Sequence, residues 1–324
     1  MTPSSSQALA EAFAEVVRVI RAGRRFLVGG HARPDGDALG SMLATAHGLR
    51  ALGKEVVIYD RDPAPDRLAF LPGALELVTT PPAGPFDAAI VHDCGDAHLL
   101  GPEFPPSSVR GPLIVLDHHA ASRPFGDLVV RDPDAAAVGV IVARLLAALN
   151  VPLTKPIAEC IWCSLASDTG WFRYSSTDAE TMELATACVQ AGAVPWDFAR
   201  QSEEAHPVAR LKLMARVFDT LEIVGRTALL TLARSTLTEV GAVTEWAEGL
   251  VSYARGLEGI EVGCMFFEQP DGVRLSLRSK GDVDVGAVAE SFGGGGHRAA
   301  AGCFVPGTVE NARSALLAAL ARLP

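Results

Sequence analysis

Residues 25 to 30 read RFLVGG and run straight into HARPDGD, His31 to Asp37. A short, nearly continuous apolar run is the pattern of a strand covered on both faces. The polar heptad after it therefore lies where a strand of an open α/β sheet ends, and such sheets bind ligands beyond those carboxyl ends. His31, Asp35 and Asp37 put three potential ligands into one short loop, and Pro34 and Gly36 shape the turn between them. By itself the heptad fits a solvated acidic turn as well as it fits a site.

The surrounding sequence repeats the arrangement. Glu11 to Ile20 has the spacing of an amphipathic helix, Ala38 to Leu52 is helical, and Glu55 to Tyr59, Asp87 to His92 and Leu113 to Leu116 are further apolar strands. Helical patterns follow at Ala136 to Ala148, Ile157 to Ala166 and Ala179 to Ala191. Strands alternating with helices imply βαβ units and a mostly parallel sheet flanked by helices. The Pro/Gly-rich Thr80 to Pro85 reads as a loop inside this domain. Near residue 200 the character changes. Asp197 to Glu222 reads as one or two connecting helices. Strands are expected at Ala228 to Leu232, Glu261 to Phe267 and Gly272 to Arg278, the last two joined as a hairpin through Glu268-Gln269-Pro270-Asp271. Helices are expected at Val243 to Arg255, Val285 to Ser291 and Val309 to Leu323. The expected organisation is a larger α/β domain over 1–200, a helical linker over 201–222 and a smaller C-terminal α/β domain over 223–324, with the active-site cleft between the two domains.

Polar residues recur at the ends of these elements. Asp87 to His92 ends in Asp93-Cys94-Gly95-Asp96, Leu113 to Leu116 in Asp117-His118-His119, and Ile157 to Ala166 in Ser167-Asp168-Thr169-Gly170. Several independent ends carrying ionisable groups are hard to explain as solvated turns, and they favour a metal site. No G-x-S-x-G elbow supports a serine hydrolase, and the first strand lacks the G-x-G-x-x-G of a dinucleotide fold. Histidines and carboxylates without thiolates suit manganese, magnesium or related cations better than structural zinc. Four carboxylates and two imidazoles are too many for one ion and suit a two-metal centre that activates a water.

Composition sets the limits. The 324 residues allow about two domains. With 49% hydrophobic and 20% charged residues the chain is not disordered. A net charge of −10 argues against coating duplex DNA, although two divalent ions would offset about four aspartates and admit a phosphate. No apolar run approaches the ~18–20 residues of a membrane span, and Met1 to Ala10 lacks signal-peptide features, so the expected compartment is the cytoplasm. The six cysteines do not form a disulfide framework, and Cys160-x-x-Cys163 reads as buried thiols.

A second signal lies near the end, at Phe292-Gly293-Gly294-Gly295-Gly296-His297-Arg298. Glycines let the backbone approach a ligand and turn N–H groups toward an anion, but the same stretch fits a flexible surface loop. Period-two alternation puts Arg274, Ser276 and Arg278 on one face of the strand before it, which favours phosphate recognition.

Together, HARPDGD (31–37), HDCGD (92–96), DHH (117–119), SDTGWFRY (167–174) and FGGGGH (292–297) resemble the DHH phosphoesterase family with its C-terminal DHH-associated domain. The resemblance covers nearly the whole chain. It is strongest to the stand-alone nanoRNases that also dephosphorylate 3′-phosphoadenosine 5′-phosphate (pAp), and to the related cyclic-di-AMP/pApA phosphodiesterases. It implies that His31 and Asp35 bind one metal, that Asp37, His118 and Asp168 bind the other, and that Asp93 bridges both. Asp117 would orient the site, and His119 would lie against the substrate phosphate. Arg278, Ser279, Gly293, Gly294, Gly295, Gly296 and His297 would bind substrate. The implied cofactors are two divalent ions, manganese foremost, with magnesium or cobalt as substitutes. The implied reaction is hydrolysis of short RNA or a dinucleotide by a metal-activated water, with no membrane partner and with a homodimer expected. Cys94 departs from the Ser or Thr common after the bridging Asp. Hydrolysis of cyclic-di-AMP or pApA, a polyphosphatase, and a nucleotide sensor without catalysis are the competing readings.

Overall fold

The computed structural model describes residues 5–119, 125–202, 204 and 207–322. The chain divides into two compact units, Met1–Ala205 and His206–Pro324. In the first, β1 (Arg25–Gly30), β2 (Glu55–Ile58), β3 (Ala88–His92), β4 (Leu113–Asp117) and β5 (Leu128–Arg131) form one sheet in the order β2-β1-β3-β4-β5. Each neighbouring pair is parallel, so all five carboxyl ends lie along one edge.

The helices of this unit are α1 (Ser5–Ala22), α2 (Gly36–Ala51), α3 (Ser107–Arg110), α4 (Val138–Ala148), α5 (Lys155–Asp168), α6 (Ala179–Gln190) and α7 (Pro195–Ser202). The apolar strands serve both sheet faces, because successive side chains point opposite ways. Phe26, Val28, Ile90, Ile114 and Leu116 pack with Leu39, Met42, Leu43, Leu145 and Ile161 on the helical side. Leu27, Ala89, Val91 and Val115 pack beneath Phe86, Leu100 and Val109 on the other. The side chain of Asp35 caps α2 by accepting from the N–H groups of Asp37 and Ala38. From there α2 is buried on nearly all sides, and it lies hard against α5. A Cβ at Gly40 would stand 2.5 Å from the Cys160 carbonyl oxygen and 3.0 Å from the Ser164 nitrogen.

The second unit holds α8 (Val208–Phe218), β6 (Glu222–Val224), β7 (Thr227–Leu232), α9 (Arg234–Val240), α10 (Val251–Gly256), β8 (Val262–Gln269), β9 (Gly272–Ser279), α11 (Val285–Glu290), β10 (Gly295–His297), β11 (Ala300–Pro306) and α12 (Val309–Leu320). Its six strands run β10-β11-β9-β8-β7-β6. One sheet face packs Phe266, Leu275 and Leu277 under Val285, Val288 and Leu316. The other packs Met265 and Phe267 under Leu213, Val217 and Val251. All six cysteines are free and buried, Cys160 and Cys163 among them.

Several elements differ from the sequence expectation. No element expected from the sequence covers α3, β5, β6, α9, β10 or β11. The helix expected over 243–255 is broken into a 3-10 turn, Thr244–Ala247, and α10, with Gly249 between them at φ +83°. The glycine run is not a loosely held loop. The N–H groups of Gly293 and Gly294 donate to the Glu290 and Ala289 carbonyls, each at 2.9 Å, and close α11. Gly295 and Gly296 then pair with Gly302 and Ala301 in β11. Two of the four N–H groups expected to face an anion are therefore already used.

Gly40→Ala is expected to lower the melting temperature by several degrees, through overpacking of roughly 1–3 kcal/mol between α2 and α5. Gly256→Ala adds a Cβ that meets nothing within 4 Å and should leave melting unchanged or slightly raised. Thermal melts of the two variants check the contrast, and equal melting of both would contradict it.

Candidate metal centre

Three parallel strands and two helices deliver the polar residues to the same edge of the first unit. β1 delivers His31. Its loop is tied at Ala32, whose N–H donates to the Leu99 carbonyl at 2.9 Å, and at Arg33, whose N–H donates to the Asp62 carboxylate at 2.9 Å. Arg33 has left-handed backbone, φ +55°, which that bond holds. β3 ends at His92, and the next residue, Asp93, has φ +53°. β4 ends in Asp117, followed by His118 and His119. Asp37 sits in the first turn of α2, and Asp168 is the last residue of α5.

The distances bring together all six residues expected as ligands. His31 Nε2 lies 3.5 Å from Asp93 Oδ2 and 3.9 Å from Asp35 Oδ1. His118 Nε2 lies 3.2 Å from Asp168 Oδ2, 3.6 Å from Asp37 Oδ2 and 3.7 Å from Asp93 Oδ1. Three overlapping groups result: His31–Asp35–Asp93, Asp37–His118–Asp168 and Asp93–His118–His119, each with its donor atoms within 4.8 Å of one another. Asp93 belongs to two of them. His31 Nδ1 lies 2.9 Å from the Ala32 carbonyl and His118 Nδ1 2.9 Å from that of Ala135. Each Nδ1 proton can be held there, which leaves Nε2 as the nitrogen that could ligate a cation. Asp117 Oδ1 lies 2.8 Å from His119 Nδ1 and orients that ring.

Burial makes this charge set costly without cations. Burial, then the charge of Asp93, raises the pKa of Asp37 above the carboxylate range. Burial and Asp37 do the same to Asp168. Burial opposes protonation of His31, but Asp93 and Asp35 outweigh it and raise the imidazole to about 10. His118 is raised likewise, because Asp37, Asp168 and Asp93 outweigh its burial. Asp93 moves the other way, since His31, His119 and His118 overcome its burial and lower it. Among the described residues Asp93 Oδ1 is buried with no hydrogen-bond partner. Buried carboxylates, ring nitrogens aimed among them and one orphaned oxygen fit divalent cations.

The supporting residues went unassigned in the sequence. Asp37 accepts from Ser164 Oγ at 2.5 Å, Ser41 Oγ at 3.3 Å and the Val138 N–H at 2.9 Å. His92 is fully buried between Thr45 Oγ1, 2.8 Å away, and the Gly29 carbonyl, 3.1 Å away, and burial lowers its pKa to about 4. A serine or histidine within an otherwise apolar run was the available signal for both. The Cys94 thiol is buried and pushed up to about 12, so it is neutral and unreactive.

The other expected residues lie in the second unit. Arg278 is half-buried on β9, and its Nη1 donates to the Leu277 carbonyl at 2.9 Å. Ser279 is buried, and its hydroxyl donates to the Val283 carbonyl at 2.7 Å. Gly293 and Gly294 close α11, and Gly295, Gly296 and His297 form β10. The His297 side chain lies outside the described residues.

Residues 25–165 match the DHH family N-terminal domain, and residues 237–323 match the DHHA1 domain. A relative from Thermus thermophilus, named bifunctional oligoribonuclease and PAP phosphatase NrnA, is 32% identical over 86% of this chain and 83% of its own.

This chain belongs to the DHH family.

A Bacillus subtilis relative with the same name is 27% identical over 90% of this chain and 92% of its own. A solved exopolyphosphatase-related protein from Bacteroides fragilis shares the fold, with a TM-score of 0.88 at 23% identity over 97% of this chain and 96% of that one. DHH phosphoesterases depend on divalent metal ions, in keeping with the donor set described above.

The raised groups hold protons more tightly folded than unfolded. Their stabilisation is complete below the ordinary carboxyl and imidazole ranges and is lost as pH climbs through the folded values. With a chelator present, the melting temperature is therefore expected to fall between about pH 6.5 and 10. Asp93 has the opposite sign, but its contribution is lost only in acid. Saturating Mn²⁺ should flatten the slope, because cations replace the protons. Calorimetry across that range tests this, and identical profiles with and without metal would count against it.

Proposed function

We propose that this chain is a metal-dependent phosphoesterase that cuts short oligoribonucleotides to 5′-mononucleotides and dephosphorylates pAp. The relatives named for those two activities carry the reading, together with an intact set of converging ligands at the sheet edge. Manganese is the proposed ion. His31, Asp35 and Asp93 would hold one ion, and Asp37, Asp93, His118 and Asp168 the other. Bound divalent ions supply an acidified water and neutralise the oxygens of the attacked phosphate.

The protein's own groups do the remaining work. Asp93 stands between the two ligand sets. Asp117 fixes the His119 ring through the 2.8 Å contact. Burial opposes protonation of His119, but Asp117 and Asp93 outweigh it and favour the imidazolium. A cationic His119 can donate to a phosphate oxygen or to the departing one. Arg278 and Ser279, with Gly293 to His297, are the proposed contacts to the substrate from the second unit. On β9, Arg274, Ser276 and Arg278 share a half-buried face while Leu275 and Leu277 enter the core. Arg274 lies over the Phe267 ring, 4.1 Å from its centroid.

Purified protein with Mn²⁺ or Mg²⁺ should consume pAp and the shortest members of an RNA ladder. Cyclic-di-AMP, pApA and polyphosphate belong in the same panel, because faster turnover of any of them would reassign the substrate. If every substrate stays intact, the hydrolase reading fails. Asp93→Asn is expected to reduce turnover by at least about 100-fold while the fold survives. Undiminished activity in that variant would remove Asp93 from the centre.

A further inference from the structure

Asp168, like Asp93, is held differently from Asp35, Asp37 and Asp117. Asp35, Asp37 and Asp117 each accept backbone or hydroxyl hydrogen bonds or sit against a ring nitrogen within 3 Å. Among the described residues no backbone N–H or hydroxyl donates to Asp168, and His118 Nε2 stands 3.2 Å away. The position of Asp168 therefore rests on its backbone, the end of α5 and the turn that follows it.

That backbone is unusual. Gly170, Trp171 and Phe172 have φ +56°, +61° and +61°, three consecutive left-handed residues of which two carry a Cβ. Left-handed backbone is costly for such residues and persists only when its surroundings enforce it. The Trp171 N–H donates to the Ala166 carbonyl at 2.8 Å, and Thr169, fully buried, is the side chain bonded into the turn. Its Oγ1 donates to the Leu165 carbonyl at 2.6 Å and accepts the Phe172 N–H at 2.9 Å. Its carbonyl accepts from the N–H groups of Arg173 and Tyr174, both at 3.0 Å. The rings anchor the turn outward, Phe172 on Trp162 at 5.3 Å and Trp171 on Phe198 at 5.4 Å between centroids.

We propose that Thr169 is a positioning residue: its hydroxyl locks the left-handed turn that sets Asp168 beside His118 and so completes the Asp37–His118–Asp168 cation site. The proposal rests on the metal-dependent reading above. Without the hydroxyl, the Phe172 N–H loses its acceptor and the turn can relax. Asp168 moves first, because Asp37 keeps three donors of its own. The His31–Asp35–Asp93 group is untouched.

The test is Mn²⁺ binding to the full chain, read from free Mn²⁺ by electron paramagnetic resonance, with activity against Mn²⁺ concentration beside it. Wild type is expected to bind two ions. Thr169→Val should bind one ion as wild type does and the second at least about tenfold more weakly. Its activity should return to within about twofold of wild type at high Mn²⁺. Thr169→Ser, which keeps the donor and acceptor, should restore both sites. Thr169→Ala adds no bulk and carries the same expectation if the valine variant does not fold. Two wild-type affinities in Thr169→Val or Thr169→Ala overturn the proposal, as does an activity loss that Mn²⁺ does not rescue. A wild-type chain that binds no Mn²⁺ overturns the metal-dependent reading itself, and with it this proposal.

Discussion

Asp37, Asp93 and Asp168 converge on one imidazole nitrogen, His118 Nε2, at 3.6, 3.7 and 3.2 Å. Asp37 and Asp168 also have carboxylate oxygens within 4.8 Å of each other, and two negative charges that close repel by at least about 3 kcal/mol at an effective dielectric constant of about 20. A fold keeps this arrangement only if cations or protons neutralise it, and much of the first unit serves to hold it in place. The parallel sheet brings His31, Asp93 and the Asp117–His119 run to one edge. The first turn of α2 and the last residue of α5 supply Asp37 and Asp168. Those helices must approach closely, and glycine at position 40 permits it. Ser164 joins the parts, because its Oγ donates to Asp37 and accepts the Gly139 N–H at 2.9 Å.

The charges are placed in two ways. Asp35 and Asp37 are held by donors, one through a helix cap and the other through two hydroxyls and an N–H. Asp93 has left-handed backbone itself, and Asp168 lies two residues before the left-handed run Gly170–Phe172. Donor-held carboxylates resist substitution of one partner, because others remain. Backbone-held ones respond to residues that touch no ligand. Strain of this kind gathers where a side chain must point in one particular direction, and here it lies at or near Asp93 and Asp168, which no serine or helix cap supports among the described residues.

The sheet of the first unit was legible because β1, β3 and β4 are buried on both faces and read as apolar runs that end in ionisable residues. The candidate ligands were legible for the same reason, since each follows such a run. β5 escaped notice because Leu128–Arg131 is too short for periodicity to distinguish it. β10 and β11 escaped because Gly, Ala and Pro have little intrinsic strand preference, and pairing with β9 makes strands of them. The break at Gly249 was hidden because one glycine inside a helical pattern is also tolerated. Ser164, Thr45 and His92 look like ordinary interruptions of apolar stretches until three-dimensional packing shows what they touch.

On the reading proposed above, this charge cluster holds two cations at the edge of the sheet. Anomalous diffraction from crystals grown with Mn²⁺ tests it most directly. Two peaks are expected, one among His31, Asp35 and Asp93 and one among Asp37, Asp93, His118 and Asp168. Full-occupancy density for the protein with no anomalous peak at either group would contradict the account.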